Sequence, residues 1–189
     1  MCGILAFFDK NGHYKGTPED LKQLLTGLSH RMVTRGPDGC GYYGGANWGL
    51  SHERLAIMDP EGGKQPIIYD EVRTGGSPIA SVVNGEIYNH HALIKKYGAD
   101  LPPPITGSDS EVINYLYPIL GKEMCKELNG IFGFVLTTND GKDVLAARDH
   151  CGIKPLYIAY GHNGEVWFSS ELKCIVDQDC KQFEEFPAG

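Results

Sequence analysis

Short apolar runs separated by glycine-containing turns dominate the chain, and helical spacing interrupts them in only a few places. The run Cys2–Phe8 predicts a buried strand, with a turn at Asn11-Gly12. Pro18 stands where helices like to begin, and Leu21, Leu24, Leu25 and Leu28 recur at helical spacing behind it. The stretch TRGPDG at 34–39 ends that helix. Short strands are expected at Gly41–Tyr43, Gly49–Arg54, Ile67–Tyr69 and Ile79–Val83, then a helix from Asn89 to Tyr97. Three consecutive prolines make YGADLPPPITG a loop. A third helix begins near Ser108, with Val112, Ile113 and Leu116 along its face. Strands then recur at Ile131–Thr137, Val144–Arg148, Leu156–Tyr160 and Val166–Ser169, and a short helix follows Glu171. The ending FEEFPAG reads as a connecting segment. Strands at both ends with helices between predict an α+β domain in which two sheets pack together.

With 189 residues, 41% of them hydrophobic, the chain can bury one substantial core. No polar or repetitive tract argues for disorder. A net charge of −7 and the lack of a Lys/Arg cluster disfavour nucleic acid as a partner. The first apolar run stops at Phe8 and lacks a basic flank, so it is not a secretory signal. No segment reaches transmembrane length, and a soluble, cytoplasmic protein is expected. The six cysteines contain no C-x-x-C pair, which weakens zinc and thioredoxin-like readings. Their default is six reduced thiols, mostly buried. The adjacent His90 and His91 read as a solvated surface feature. Neither a phosphate-binding G-x-x-x-x-G-K-[ST] loop nor G-x-G-x-x-G occurs.

Four stretches carry candidate chemistry, each with a plainer structural reading. Cys2 follows a removable methionine. Freed, it would hold a thiol and an α-amine on one residue, with unperturbed pKa values of about 8.5 and ~7.7–8.0. The amine can then serve as general base for its own side chain; the plain reading is a buried strand cysteine. In VVNGEIY, Asn84-Gly85 is a strong hairpin signal, and the stretch alone favours that reading. Its functional alternative is an oxyanion hole made by the Asn84 amide and the Gly85 N–H, with Glu86 alongside. Ser108-x-x-Glu111 reads as a capping box that presents Asp109 from a helix start, either to the dipole or to a ligand amine. Arg54 lies in an otherwise apolar strand. It needs an ion-pair partner, exposure at a sheet end, or a substrate carboxylate gripped by its fork.

Taken together, MCGI, RGPDG, LSHERLAIMD, QPI, VNGEIYNH, GSDSEVI, LNGIFGFVL, ARDHCGIKPLY and SSELK resemble, in order and over the whole chain, the glutamine amidotransferases whose nucleophile is an N-terminal cysteine. The resemblance is nearest to the glutaminase domain of glutamine-hydrolysing asparagine synthetases. It implies a four-layer αββα sandwich of two mainly antiparallel sheets between helices, the N-terminal nucleophile hydrolase fold. It also implies that residues 1–189 form one type-2 amidotransferase domain. Cys2 would be the nucleophile, and Asn84 with Gly85 the oxyanion hole. Arg54 would bind the α-carboxylate of L-glutamine, Glu86 and Asp109 its α-amine, and the backbone near Ile57 and Met58 would line the pocket. RGPD, with Arg35 and Asp38, matches without a role. No cofactor or metal is expected in this domain. An ATP-dependent synthetase domain, using ATP and Mg and bearing SGGxDS, is expected to follow in a full-length enzyme and is absent from these residues. A γ-glutamyl thioester on Cys2 would release ammonia for the ligase half, in asparagine biosynthesis. The partners implied are L-glutamine and the synthetase domain of the same polypeptide, with a homodimer left open. Two rivals stand beside this reading. One is an amidophosphoribosyltransferase-like domain serving another acceptor; the other is a catalytically silent binding or regulatory module.

Overall fold

The computed structural model describes residues 1–99 and 101–189, so Asp100, within the expected proline-rich loop, lies outside the described residues. The first strand, β1 (Gly3–Phe8), is followed by helix α1 (Pro18–Ser29), then β2 (Gly39–Gly44) and β3 (Trp48–Arg54). Next come β4 (Ile67–Tyr69), the single-turn α2 (Glu71–Thr74), β5 (Ile79–Ile87), α3 (His90–Tyr97) and α4 (Val112–Leu120). The chain closes with β6 (Gly130–Thr138), β7 (Asp143–Arg148), β8 (Tyr157–Gly161), β9 (Val166–Ser169) and β10 (Cys180–Glu185). Pro18 occupies the first turn of α1, as its sequence predicts, and Thr17 caps that helix in a reciprocal box with Asp20.

Two antiparallel sheets result, ordered β10-β8-β9-β1-β3-β2 and β4-β5-β6-β7. Alternation along the strands builds three apolar layers from them. In β1, Leu5 and Phe7 face Leu21, Leu25 and Leu28 of α1. Ile4, Ala6 and Phe8 face the other way and meet Ala80, Val82 and Val135 of the second sheet. On that sheet's far side, Ile79, Val83, Phe134 and Leu136 pack on Leu93, Ile113 and Leu116 of α3 and α4. The order is therefore helix, sheet, sheet, helix, the αββα sandwich expected. Each fully buried large side chain in these layers contributes roughly 1.5–3 kcal/mol.

Several local expectations are corrected. Asn84-Gly85 makes no hairpin, because β5 runs through it and pairs Asn84 with Gly133 and Gly85 with Phe132. A Cβ at Gly85 would lie 2.1 Å from the Ile131 carbonyl oxygen. The glycine answers a close strand–strand approach, not a turn. The Ser108 capping box does not form either. Glu111 instead accepts the N–H groups of Ile105 at 2.7 Å and Thr106 at 2.6 Å and the Tyr69 hydroxyl at 2.6 Å. Its carboxylate thus folds the proline-rich loop onto the helix rather than capping it.

His90 is buried at the start of α3, with Nδ1 2.9 Å from the Ile87 carbonyl oxygen, and only His91 is exposed. The carbonyl can only accept, so Nδ1 carries the proton in this bond. The cysteines are not mostly buried, since Cys40 and Cys151 are exposed, Cys2, Cys125 and Cys180 half-buried and only Cys174 buried. All six are free. The ending FEEFPAG, expected as a connector, begins inside β10, whose sequence CKQFEE forms a charged edge strand on β8. Among the described residues, no helix is long and apolar enough to cross a membrane.

Candidate active site

The period of two that builds the inter-sheet layer also aims the candidate residues. Cys2 is in phase with Ile4, Ala6 and Phe8, and Asn84 with Ala80 and Val82. Trp48 and Leu50 of β3 belong to the same layer, so His52 and Arg54 follow them onto that face. All of these side chains converge where the two sheets meet, at the end of β1 and β3 and the far end of β5.

A cavity of about 120 Å³ opens there. All eight residues singled out by the sequence line it: Cys2, Arg54, Ile57, Met58, Asn84, Gly85, Glu86 and Asp109. Met1 lines it too. The Cys2 sulfur lies 3.4 Å from the Leu55 backbone nitrogen and 3.6 Å from the Leu55 carbonyl oxygen. The Asn84 side chain is 1% exposed, yet neither its Oδ1 nor its Nδ2 has a partner among the described residues. An unpaired buried amide costs roughly 1–3 kcal/mol, which makes it a group held ready for a ligand atom.

Its position is fixed from behind. The Gln65 side chain accepts the Val83 N–H at 2.7 Å and donates to the Val83 carbonyl at 3.1 Å. That amide extends the ladder along β5 ahead of the first residue of β4. His52 Nε2 reaches the same carbonyl at 3.1 Å from the other sheet. Burial pulls the His52 pKa down to about 4, so the ring is neutral at pH 7 and Nε2–H is the donor. The sequence reading missed both residues, although QPI is among its motifs.

Arg54 is the last residue of β3, where the expected strand also ended, and it has no carboxylate partner among the described residues. Its guanidinium donates to the carbonyls of Pro60 at 2.8 Å and Asp59 at 2.8 Å, which closes the 55–63 loop over the cavity. Two of its five N–H groups are used, and the rest remain for a ligand. Asp109 is buried and accepts the Ile87 N–H at 2.6 Å through one oxygen. Its helical turn is thereby fastened to the end of β5.

The RGPD loop acquires a structural place. Arg35 Nε donates to the Cys2 carbonyl at 2.9 Å, and its Nη1 pairs with Glu171 at 3.1 Å. Burial raises the Glu171 pKa, but Lys173 and Arg35 outweigh it and hold the carboxyl below its usual range. Asp38 accepts the Ala56 N–H at 2.8 Å. The two residues brace the chain on either side of the cavity: Arg35 the segment at Cys2, Asp38 the segment after Leu55. Among the described residues, no group of three His, Cys, Asp or Glu side chains is arranged to hold a metal ion.

Comparison with known proteins gives a consistent picture. The family model described as a glutamine amidotransferase domain matches residues 1–185. The chain is 45% identical over 189 residues to asparagine synthetase [glutamine-hydrolyzing] 2 of Arabidopsis thaliana, covering 100% of this chain and 31% of that protein. It is 42% identical to asparagine synthetase B [glutamine-hydrolyzing] of Escherichia coli (strain K12), covering 100% of this chain and 32% of that protein. It therefore spans about a third of the length of these relatives. Two solved structures share its fold. One is described as the allosteric regulatory enzyme of purine biosynthesis (TM-score 0.78, 19% identity, 100% of this chain and 46% of that chain). The other is glutamine phosphoribosylpyrophosphate amidotransferase from B. subtilis (TM-score 0.78, 18% identity, 100% and 46%).

Proposed function

Because the chain belongs to the glutamine amidotransferase domain family, we propose that residues 1–189 form one glutaminase domain whose cavity hydrolyses the side-chain amide of L-glutamine at Cys2. The observation that carries this reading is the unpaired, buried Asn84 amide in the same cavity as the Cys2 thiol.

In this reading Met1 is removed, which leaves the α-amine on Cys2. The thiol proton passes to that amine, and the thiolate attacks the amide carbon of glutamine. The C=O bond opens to a tetrahedral oxyanion that Asn84 Nδ2 and the Gly85 N–H stabilise. The oxyanion then re-forms its double bond. The carbon–nitrogen bond breaks, and the departing nitrogen takes the proton from the Cys2 α-ammonium and leaves as ammonia. Water attacks the γ-glutamyl thioester left on Cys2, restoring the thiol and releasing glutamate. The free N–H groups of Arg54 grip the α-carboxylate, while Glu86 and the second oxygen of Asp109 receive the α-ammonium. Ile57 and Met58 cover the substrate's aliphatic stem.

The ammonia is passed to a synthetase unit of the same polypeptide, which uses ATP with Mg to convert aspartate to asparagine. This acceptor is preferred to that of an amidophosphoribosyltransferase because the nearer whole-chain identity lies with asparagine synthetases. A cytoplasmic setting accords with six free thiols, two of them exposed. The test is ammonia release from glutamine by the form lacking Met1. Loss of that activity in Cys2→Ala supports the reading, and an inactive parent overturns it.

A further inference from the structure

Lys154 also lines the cavity, and nothing in the roles above uses it. It is buried, at 8% exposure, and its ammonium makes no ion pair among the described residues. A lysine stem so covered with its ammonium left unpaired is unusual, because lysine side chains are mostly exposed or paired.

Its backbone is clamped from both sides. The Asp149 carboxylate accepts the N–H groups of Ile153 at 2.9 Å, Lys154 at 3.1 Å, Phe132 at 3.2 Å and Cys151 at 3.2 Å. Burial works against that charge, yet the four donors together hold the carboxyl below its usual range. Arg148 donates to the carbonyls of Lys154 at 2.6 Å, Gly152 at 2.6 Å and Phe186 at 2.9 Å, and pairs with Glu185 at 2.7 Å. The motif RDHCGIKPLY thus forms a tied loop with Lys154 at its exit.

The loop delivers that side chain beside Asn84. Gly133 is the cross-strand partner of Asn84, and a Cβ on it would lie 3.9 Å from the Lys154 Cβ and 3.6 Å from the Leu156 Cβ. Both are ordinary contact distances, so the base of the Lys154 side chain packs directly over the strand position opposite Asn84. An adjoining cavity of about 220 Å³ shares Ile57, Met58, Glu86 and Asp109 with the first, but neither Cys2, Asn84 nor Lys154 reaches it. Lys154 thus shares with Cys2 and Asn84 the first cavity alone, and its Cβ stands over the strand position paired with Asn84.

Resting on the glutaminase reading, we propose that the Lys154 ammonium electrostatically stabilises the negative charge that passes from the Cys2 thiolate to the amide oxygen beside Asn84. A cation held beside the reacting atoms is a fixed charge that needs no reorganisation as the negative charge moves. It needs no proton transfer and leaves the covalent steps unchanged.

The test compares glutamine hydrolysis by the parent, Lys154→Met and Lys154→Arg, all lacking Met1, with folding checked by thermal melting. Methionine keeps the stem and removes the charge. The expected result is a kcat lower by roughly 10- to 100-fold in Lys154→Met, below the 10²–10³ of a direct oxyanion donor. KM should change less than about threefold, because the charge acts on the transition state, and Lys154→Arg should recover most of the loss. A folded Lys154→Met with the parent's kcat overturns the proposal and leaves the glutaminase reading intact. So does a loss confined to KM, or one that arginine does not rescue. A parent that releases no ammonia overturns both.

Discussion

One carboxylate oxygen of Asp109 accepts the backbone N–H of Ile87 at 2.6 Å. That bond fixes the turn bearing Asp109 to the strand bearing Asn84, Gly85 and Glu86, so the acid and the oxyanion stretch move as one body. It also divides the labour of the carboxylate, leaving the second oxygen for the cavity. Asp109→Asn retains an oxygen acceptor for Ile87 and removes the charge. Glutamine KM is expected to rise about 10- to 100-fold, matching the ~1.5–3 kcal/mol of a hydrogen bond to a charged group. Arg54→Lys should do the same, since an ammonium that kept the Pro60 and Asp59 carbonyls would have one donor left for the substrate carboxylate and no planar fork to grip it by two. Steady-state kinetics check both, and an unchanged KM would assign the two residues to loop structure alone.

The Asn84 side chain makes no hydrogen bond among the described residues that a truncation could break. Asn84→Ala should therefore melt within about 1 kcal/mol of the parent. Its kcat should fall by about 10²–10³, or roughly 2.7–4 kcal/mol, with KM little altered. Thermal melting beside glutaminase kinetics separates the outcomes. A folded and nearly fully active variant would remove Asn84 from the chemistry.

His52 gives the fold a defined acid sensitivity. Its pKa falls from the ordinary 6.5 in the unfolded chain to about 4 in the folded one. Between these values the unfolded chain binds the extra proton, so stability is complete above pH 6.5 and is lost as the pH falls toward 4. From pH 7 to pH 5 this one group should cost about 2 kcal/mol. His52→Gln keeps a donor for the Val83 carbonyl and cannot titrate. Urea unfolding of both proteins at pH 7 and pH 5 should show the parent losing that much more than the variant. Equal losses would mean that His52 is accessible to protons in the folded state.

Much of the sandwich is legible because period-two strands with few charges reveal their buried faces, as in β1 and β5. The edge strand β10 is not, since its side chains are mostly charged and exposed and only pairing with β8 defines it. Asn84-Gly85 misleads in isolation because turn propensity is local, whereas the Ile131 carbonyl that demands the glycine lies on another strand. Glu111 misleads for the same reason, its partners being the loop and Tyr69 rather than Ser108. The eight candidate residues were found through resemblance and Cys2 position. Gln65, His52 and Lys154 were not, because each acts through a contact that no local pattern encodes. The Leu55 N–H beside the sulfur, 53 residues from Cys2, is a backbone group with no sequence signature at all.

The central claim is that Cys2, once N-terminal, is the nucleophile. It is tested most directly by treating the protein, with and without Met1, with a glutamine analogue carrying an electrophilic carbon at the side-chain carbonyl position. Intact mass and peptide mapping then read the product. The account predicts one adduct per chain, on Cys2 alone, formed only without Met1 and suppressed by excess glutamine. An adduct on the exposed Cys40 or Cys151 instead, or equal labelling of Cys2 in the form that keeps Met1, would contradict it.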